Sequence, residues 1–158
     1  MKRIICVILS TVLLFSLSSV SASQQGRIYI NDVSASAGDT ITVSVMTEYT
    51  EACCGGSFNI VYDNSLLELN SCTKGTAMEG ITPYINTAYT ENTLRITWMS
   101  SNTVRDGSIC DIEFRVKDTA DLSAYIKIEE LKLSDINGES IQASTKDGCV
   151  IIGKGSLT

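Results

Sequence analysis

The stretch GGSFNIVYDNSLLEL, from Gly55 to Leu69, holds the clearest structural pattern in the chain. Its first half alternates apolar and polar side chains with a period of two, which is typical of a β-strand with one buried face. Phe58, Ile60 and Tyr62 share the apolar side. Residues 63–65 are turn formers, so the chain should bend there before Leu66, Leu67 and Leu69 return to the core. The stretch predicts a strand, a turn and a second apolar segment.

The same alternation recurs along most of the remaining chain, and no helical periodicity lasts longer than one or two turns. Residues 71–80 have no such pattern and are predicted to form a loop, and residues 118–121 suggest one helical turn. Further strands are predicted at residues 27–33, 40–47, 85–90, 93–99, 110–116, 124–133 and 149–152. The strand at 124–133 should contain a bulge, because its alternation is imperfect. With the opening stretch, about nine short strands at regular spacing predict an all-β sandwich.

The first 22 residues have the features of a secretory signal peptide. Lys2 and Arg3 supply positive charge, residues 4–17 are apolar, and Val20-Ser21-Ala22 forms a small-residue cleavage site. The alternative is a membrane anchor, but the apolar run is shorter than the roughly 20 residues that a span needs. We therefore expect a signal peptide over 1–22, a single domain over 23–158 and secretion without a membrane span.

The composition argues against several classes of function. Without Lys2 and Arg3, the formal net charge falls by two, from −6 to −8. Nucleic acid is then an unsuitable partner, because its phosphates require a basic surface. The chain also has no histidine, which is the commonest acid–base group and metal ligand. These features weaken most enzyme hypotheses.

Six cysteines become five when Cys6 leaves with the signal peptide, so at least one thiol must remain without an internal partner. Cys53 and Cys54 are adjacent, and the other three are widely separated, which rules out a CxxC metal motif. A disulfide involving one member of the adjacent pair remains open. The alternative is that most of these thiols are small buried apolar groups. The sequence does not decide the pairing.

No catalytic or metal motif stands out. The 18 acidic residues offer many carboxylate pairs, and most fall at outward strand positions or in turns. Ser134–Glu139 has Asp, Asn and Gly in the order of a calcium loop, but Leu133 and Ser144 would occupy its first and last ligand positions. We predict a turn there. Trp98 is either a core residue or an exposed ring for stacking on sugars or proteins.

The order and spacing of several short segments resemble a cohesin module, the receptor half of the cohesin–dockerin pair. The resemblance covers about three quarters of the chain, although no single segment is specific. The matching segments are Ala37-Gly38-Asp39-Thr40, Gly56 to Phe58 with Tyr62-Asp63, Leu94-Arg95-Ile96-Thr97-Trp98, Asp106-Gly107, Ile112 to Lys117, and Asp147-Gly148.

The resemblance implies a nine-stranded flattened barrel with jelly-roll topology, whose third, fifth, sixth and eighth strands bind the dockerin. Carried over by position, the binding residues would be Gly55, Ser57 and Asn59 on the third strand, Thr87 and Tyr89 on the fifth, and Trp98, Ser100, Ser101 and Asn102 at the sixth. Polar and acidic residues usual in the family are replaced at Gly55, Ser57 and Ser101, so the dockerin group recognised cannot be read from the sequence.

The resemblance also implies a function. The chain is expected to be a secreted, non-catalytic scaffolding or adaptor module that binds dockerin-bearing enzymes or scaffoldins in a cellulosome-type complex. It would need no cofactor, because the calcium belongs to the dockerin, and it would reach polysaccharide and the cell surface through its partners. The alternative is a carbohydrate-binding module on a similar sandwich, in which Trp98 stacks on a sugar ring.

Overall fold

The computed structural model describes residues 25–48, 50, 52–118 and 122–153, which form strands and one short 3-10 helix, η1 (Thr76–Met78). The predicted signal peptide and residues 119–121 of the predicted helical turn lie outside them. The strands are β1 (Gly26–Ile30), β2 (Val33–Ser36), β3 (Thr40–Glu48), β4 (Gly55–Tyr62), β5 (Leu67–Lys74), β6 (Tyr84–Thr90), β7 (Thr93–Met99), β8 (Gly107–Val116), β9 (Leu122–Ser134), β10 (Ser140–Ile141), β11 (Ala143–Lys146) and β12 (Gly148–Gly153). The predicted all-β class is confirmed.

The strands form two sheets that pack face to face. One sheet has the order β11-β1-β3-β8-β5, and the other has the order β2-β12-β9-β4-β7-β6, with β10 added beside β9. Most neighbours are antiparallel, but β1 pairs with β11 and β2 pairs with β12 in parallel. This is the sandwich expected from the alternating pattern, with 12 strands in the described residues where about nine were predicted.

The core lies between the sheets and contains the apolar side of each strand. Phe58 and Ile60 of β4 are completely buried, and Tyr62 is 6% exposed, so the predicted parity of the opening stretch is confirmed. The Tyr62 ring packs against the ring of Phe114 on β8, in the opposite sheet, with the ring centroids 5.0 Å apart. Strand β4 is therefore held both by its neighbours and by the facing sheet.

The extra strands arise where the local pattern was too weak to predict them. The predicted strand at 27–33 is two strands: β1 pairs with β3 in one sheet, whereas β2 pairs with β12 in the other. Ile28 and Ile30 keep a period of two, but Val33 follows after three residues and so breaks it. The chain changes sheets at this break.

Two other segments also differ from the prediction. Residues 71–74, predicted as loop, extend β5 along β8, and residues 76–78 form η1. Polar residues suit β5 because it lies at the edge of its sheet and faces solvent on one side. The short strands β10 and β11 were not predicted, since they contain few apolar side chains.

The bulge predicted in the strand near the C-terminus is confirmed. Pairing between β4 and β9 shifts between Ser57 and Asn59, and Glu130 on β9 has a φ of 53°. A bulge adds one residue to a strand and turns the following side chains. Here it places the side chain of Glu130 over the middle of β4, where it contacts Asn59.

Candidate functional site

The candidate site is the outer face of the second sheet, meaning the outward side chains of β9, β4, β7 and β6. These strands are neighbours in that order. They correspond to the eighth, third, sixth and fifth strands that the resemblance assigned to binding. The register places Ser57 beside Thr97 on β7 and Lys132 on β9, so all three strands contribute side chains to one continuous surface.

A polar cluster lies at the centre of the outer face and joins all four strands. Its members are Asn59, Tyr89, Arg95 and Glu130. The amide nitrogen of Asn59 donates to Glu130 Oε2 at 3.0 Å, and Arg95 Nη1 lies 3.3 Å from the same oxygen. Arg95 also donates to the Tyr89 hydroxyl at 3.1 Å, with its guanidinium carbon 5.1 Å from the ring centroid. The cluster fixes these side chains in one arrangement.

Asn59 is less accessible than the sequence suggested. It is only 6% exposed, because the side chains of Arg95 and Glu130 lie near it. Its Oδ1 atom is buried and has no hydrogen-bond partner among the described residues. Glu130, by contrast, has a side chain that is 60% exposed. A partner approaching this part of the face would meet Glu130, Arg95 and Tyr89 before Asn59.

A depression of about 530 Å³ lies at one end of the outer face. Met99 and Ile136 line it and are 90% and 63% exposed, which is unusual for large apolar side chains. The remaining lining residues are small or polar: Cys54, Gly55, Ser100, Ser101, Ser134, Asp135, Asn137 and Gly138. The depression therefore combines two exposed apolar side chains with hydroxyl and backbone groups, a composition suited to a side chain of another protein.

The Asp135 turn carries Ile136 beside the depression. The Asp135 carboxylate accepts from the backbone amides of Asn137 and Glu139, both at 2.8 Å. Gly138 has a φ of +84°, a conformation that favours glycine. The predicted turn is confirmed, and the carboxylate is engaged with the chain's own amides. The described residues contain no group of three or more His, Cys, Asp or Glu side chains that could hold a metal ion.

The structure places most of the predicted site residues on the outer face. Gly55, Ser100 and Ser101 line the depression, Ser57 is half-buried beside it, and Tyr89 joins the polar cluster. Asn102 is exposed in the loop after β7, where its side chain donates to the carbonyl of Gly80 at 3.0 Å. These residues form a strip along the sheet rather than one compact site.

Trp98 does not lie on this surface, which corrects its assignment to the dockerin-binding residues and agrees with the alternative of a core residue. It is 4% exposed and packs edge-on against Phe58, with ring centroids 6.1 Å apart. Leu94, Ile96 and Trp98 share the inner side of β7 because they follow one another at a period of two. The burial of Trp98 is therefore the outcome that the alternation of its own strand predicts.

Thr87 is also separated from the other predicted residues. It lines a different depression beside β5, together with Glu68 and Asn70. The register between β6 and β7 shifts between Asn86 and Thr90, so positions two residues apart need not share a face there. Ile85 pairs with the buried Ile96, so Thr87, two residues later, already has the inner parity, and the shift is what brings Tyr89 to Arg95.

Four residues of the polar cluster and the depression were not predicted from the sequence: Arg95, Met99, Glu130 and Ile136. The parity of β7 was a usable signal for two of them, since an inward Trp98 makes Arg95 and Met99 point outward. For Ile136 the usable signal was a different one: an apolar residue in the middle of a polar turn has no core to enter. Glu130 had none, since its direction depends on where in β9 the bulge lies, and the sequence predicted the bulge without its position.

The described residues contain no helix with the length and apolar character needed to cross a membrane. A comparison with curated proteins finds no match to this chain.

The fold is shared with solved cohesin structures. A non-cellulosomal cohesin from the archaeon Archaeoglobus fulgidus is 22% identical, with 82% of this chain and 91% of that one covered and a TM-score of 0.74. The type I Coh-OlpC–Doc435 cohesin–dockerin complex from Clostridium thermocellum gives 18% identity, coverage of 83% and 95%, and a TM-score of 0.76. The sixth cohesin of Acetivibrio cellulolyticus scaffoldin B, solved with a Cel5 dockerin, is 19% identical, with 82% of this chain and 99% of that one covered and a TM-score of 0.75.

The family model for the cohesin domain matches residues 26–152, which span β1 to the end of the core in β12. This match covers most of the chain and agrees with the two-sheet fold. The chain belongs to the cohesin domain family.

Proposed function

We propose that this chain is a non-catalytic receptor that binds a dockerin domain with the outer face of β9, β4, β7 and β6. The observation that carries the proposal is the exposed pair Met99 and Ile136 at the depression, next to the polar cluster on the same face. Membership of the cohesin family supports it, as do the related cohesins solved in complex with dockerins.

The arrangement suits a protein partner better than a small molecule. Specific interfaces bury on the order of 1,600 Å² in total, and a few central apolar or aromatic residues supply most of the binding free energy. Met99 and Ile136 would be those residues here, because they are already exposed and a partner side chain could desolvate both at once. Ser100 and Ser101 would contribute hydrogen bonds at the rim.

Small residues keep the depression open. A Cβ atom added to Gly55 would lie 2.7 Å from the Ser134 hydroxyl oxygen, inside the contact distance. Ser57, the next outward residue on β4, is also small and only half-buried. A large side chain at either position would project toward an incoming partner. Their small size accordingly favours a partner element that lies close to β4.

The cellular setting is part of the same proposal. The sequence of the first 22 residues supports secretion, and the family supports a role in a cellulosome-type or other multiprotein assembly. Calcium would belong to the dockerin. Contact with polysaccharide and with the cell surface would be made through dockerin-bearing partners.

The carbohydrate-binding alternative loses its main residue. It required the ring of Trp98 at the surface, and that ring is buried against Phe58. Tyr84 and Tyr89 remain exposed on β6, but Tyr89 is engaged by Arg95. A polysaccharide pull-down of the whole protein separates the two functions, because a dockerin receptor should not be retained.

The proposal is tested by calorimetric titration against dockerins from the same organism, with calcium and with a chelator. We expect at least one dockerin to bind only with calcium, and Met99→Glu or Ile136→Glu to weaken binding by at least tenfold, because each places a charge in an apolar contact. Ile151→Glu is the matched control, since Ile151 is 51% exposed on β12, outside the proposed surface.

A further variant tests whether the outward side of β4 contacts the partner. Ser57→Arg should weaken the complex and leave thermal stability nearly unchanged, since Ser57 points outward. If none of the organism's dockerins binds in calcium, the proposal is wrong. If Ile151→Glu weakens binding as much as Met99→Glu, the partner uses a different part of the sheet.

A further inference from the structure

Two cysteines lie diagonally across neighbouring strands of the first sheet. Cys72 on β5 lies opposite Ile112 of β8, and Lys74 lies opposite Cys110. Cys110 and Ile112 are both completely buried, on the inner side of β8. Cys72 is partly buried against the same core. The two cysteines are therefore diagonal neighbours on the inner side of one antiparallel pair of strands.

The two thiols differ in burial and in pKa. Hydrogen bonding with the Cys110 side chain lowers the pKa of the Cys72 thiol. The same contact, together with burial, raises the pKa of Cys110 well above its usual range. Cys72 is also the more accessible of the two. A thiolate is the attacking form in disulfide exchange, so Cys72 is suited to react first and Cys110 second.

We propose that Cys72 and Cys110 form an intramolecular disulfide that ties the edge strand β5 to β8. The oxidant is an external disulfide, either a small molecule or a protein. The Cys72 thiolate attacks one of its sulfurs, which forms a mixed disulfide and releases one thiolate. Cys110 then loses its proton and attacks the Cys72 sulfur, releasing the second thiolate. Two cysteine thiols are oxidised, and one external disulfide is reduced to two thiols.

The position of β5 allows the bond to close. Diagonal neighbours in an antiparallel ladder are separated by roughly 7–8 Å, whereas a disulfide usually requires at most about 6.8 Å between Cα atoms. A shift on the order of 1 Å is thus needed. β5 is the last strand of its sheet and has only β8 as a ladder neighbour, so it can move without breaking another strand pair.

The other described cysteines are less well placed for this reaction. Cys53 and Cys54 are buried just before β4, and Cys149 lies on β12, so all three belong to the second sheet or its loops. Cys53 already donates to the carbonyl of Gly55 at 3.5 Å. The geometry thus selects one pair from the five cysteines, a choice that their spacing in the sequence left open.

Peptide mapping of the full chain tests the bond directly. The protein is incubated with oxidised glutathione, denatured in an alkylating reagent and digested with trypsin and a glutamate-specific protease. Cleavage after Glu68, Lys74, Arg105 and Glu113 leaves Cys72 on peptide 69–74 and Cys110 on peptide 106–113. We expect the two peptides joined by a reducible bond. Separate alkylated or glutathionylated peptides, or a link from 69–74 to any other cysteine, would overturn the proposal.

Thermal melting gives a second readout that does not depend on dockerin binding. Reduction should lower the melting temperature of the oxidised wild type by roughly 5–10 °C, since the bond closes a long loop. The Cys149→Ala control should show the same drop, and Cys72→Ala should melt at one temperature with or without reductant. An unchanged drop in Cys72→Ala would show that another bond is responsible.

Discussion

Gly56 lies on the inner side of β4, directly against the Trp98 ring. A Cβ atom at this position would be 2.4 Å from Trp98 Cζ2 and 2.9 Å from Leu133 Cδ2. Both neighbours are almost completely buried, so neither can move away freely. The glycine at this position allows a large ring to fill the core while Gly55, the preceding residue, lines the outer depression.

We predict that Gly56→Ala lowers the free energy of unfolding by about 1–3 kcal/mol, because the added methyl group overpacks the core beside Trp98. Urea unfolding followed by tryptophan fluorescence measures the change. Gly153→Ala is the control, because a Cβ atom at Gly153 meets no atom within 4 Å. Equal stability of the two variants would mean that β4 and β7 can separate without cost at this point.

Cys53 makes the stability of the protein depend on pH. Burial, and after it the neighbouring Cys54, raises the pKa of the Cys53 thiol from its ordinary value of 9.0 to about 11. The folded protein therefore holds this proton more tightly than the unfolded chain. The stabilisation is fully present below about pH 9 and is lost as the pH rises toward 11.

Urea unfolding in the presence of a phosphine reductant should therefore show a decline in stability between pH 9 and 11. We predict that the decline is shallower in Cys53→Ala, which lacks this ionisable group. Other thiols and tyrosines titrate in both proteins, so the informative quantity is the difference between the two slopes. Identical slopes would show that the Cys53 thiolate is as well accommodated in the folded protein as in water.

At the scale of elements, the Asp135 turn connects the stability of β9 to the shape of the depression. Its carboxylate accepts two backbone hydrogen bonds, and its next residue is Ile136. β9 is the strand that also carries Glu130 and pairs with both β4 and β12. A change in this turn should thus alter both the stability of the fold and the shape of the proposed interface.

We predict that Asp135→Ala costs about 1–2 kcal/mol of stability, because two turn amides lose a charged acceptor. Thermal or urea unfolding measures this loss. Glu139→Ala is the matched control in the same turn, since Glu139 contributes its backbone groups, which the substitution keeps. If both variants are equally stable, water replaces the carboxylate without cost and the turn is held by its backbone bonds.

The face of β9, β4, β7 and β6 shows why elements matter more than single residues for the proposed binding. Each strand supplies one member of the polar cluster, and the members meet only because the strands are neighbours. Asn59 and Glu130 are 71 residues apart in the chain. A sheet is rigid, so the cluster and the depression keep a constant separation, which a partner can match.

At the scale of the whole molecule, the two ends of the described chain are tied into the sandwich by parallel pairs. β1 pairs with β11 in one sheet, and β2 pairs with β12 in the other. β12 also pairs with β9, and its Val150 and Ile152 are buried in the core. The last strand is consequently part of both the sheet and the core.

We predict that a chain ending at Lys146 shows no cooperative thermal transition, because β2 loses its ladder partner and β9 loses one of its three ladder partners, β4, β10 and β12. A chain ending at Gly153 is the control, since it keeps every described strand. Circular dichroism during heating distinguishes the two. A sharp transition in the shorter chain would mean that β2 and β12 form a separable layer.

The sequence by itself determined the fold class, the inner side of the main strands and the position of two turns. Phe58, Ile60 and Tyr62 are buried as their period predicts, and the turns at residues 63–65 and 135–139 form where short polar side chains can bind nearby amides. These features are local, because a side chain's direction along a strand and the chemistry of a turn depend on adjacent residues.

Only the tertiary structure decided which strands are neighbours, and with it the composition of the site. The bulge in β9 and the register shift between β6 and β7 bring Glu130 and Tyr89 to Arg95. The pairing of β5 with β8 likewise brings Cys72 to Cys110. These contacts depend on which distant strands pair and in what register. A period of two does not determine the register, because every strand has the same period.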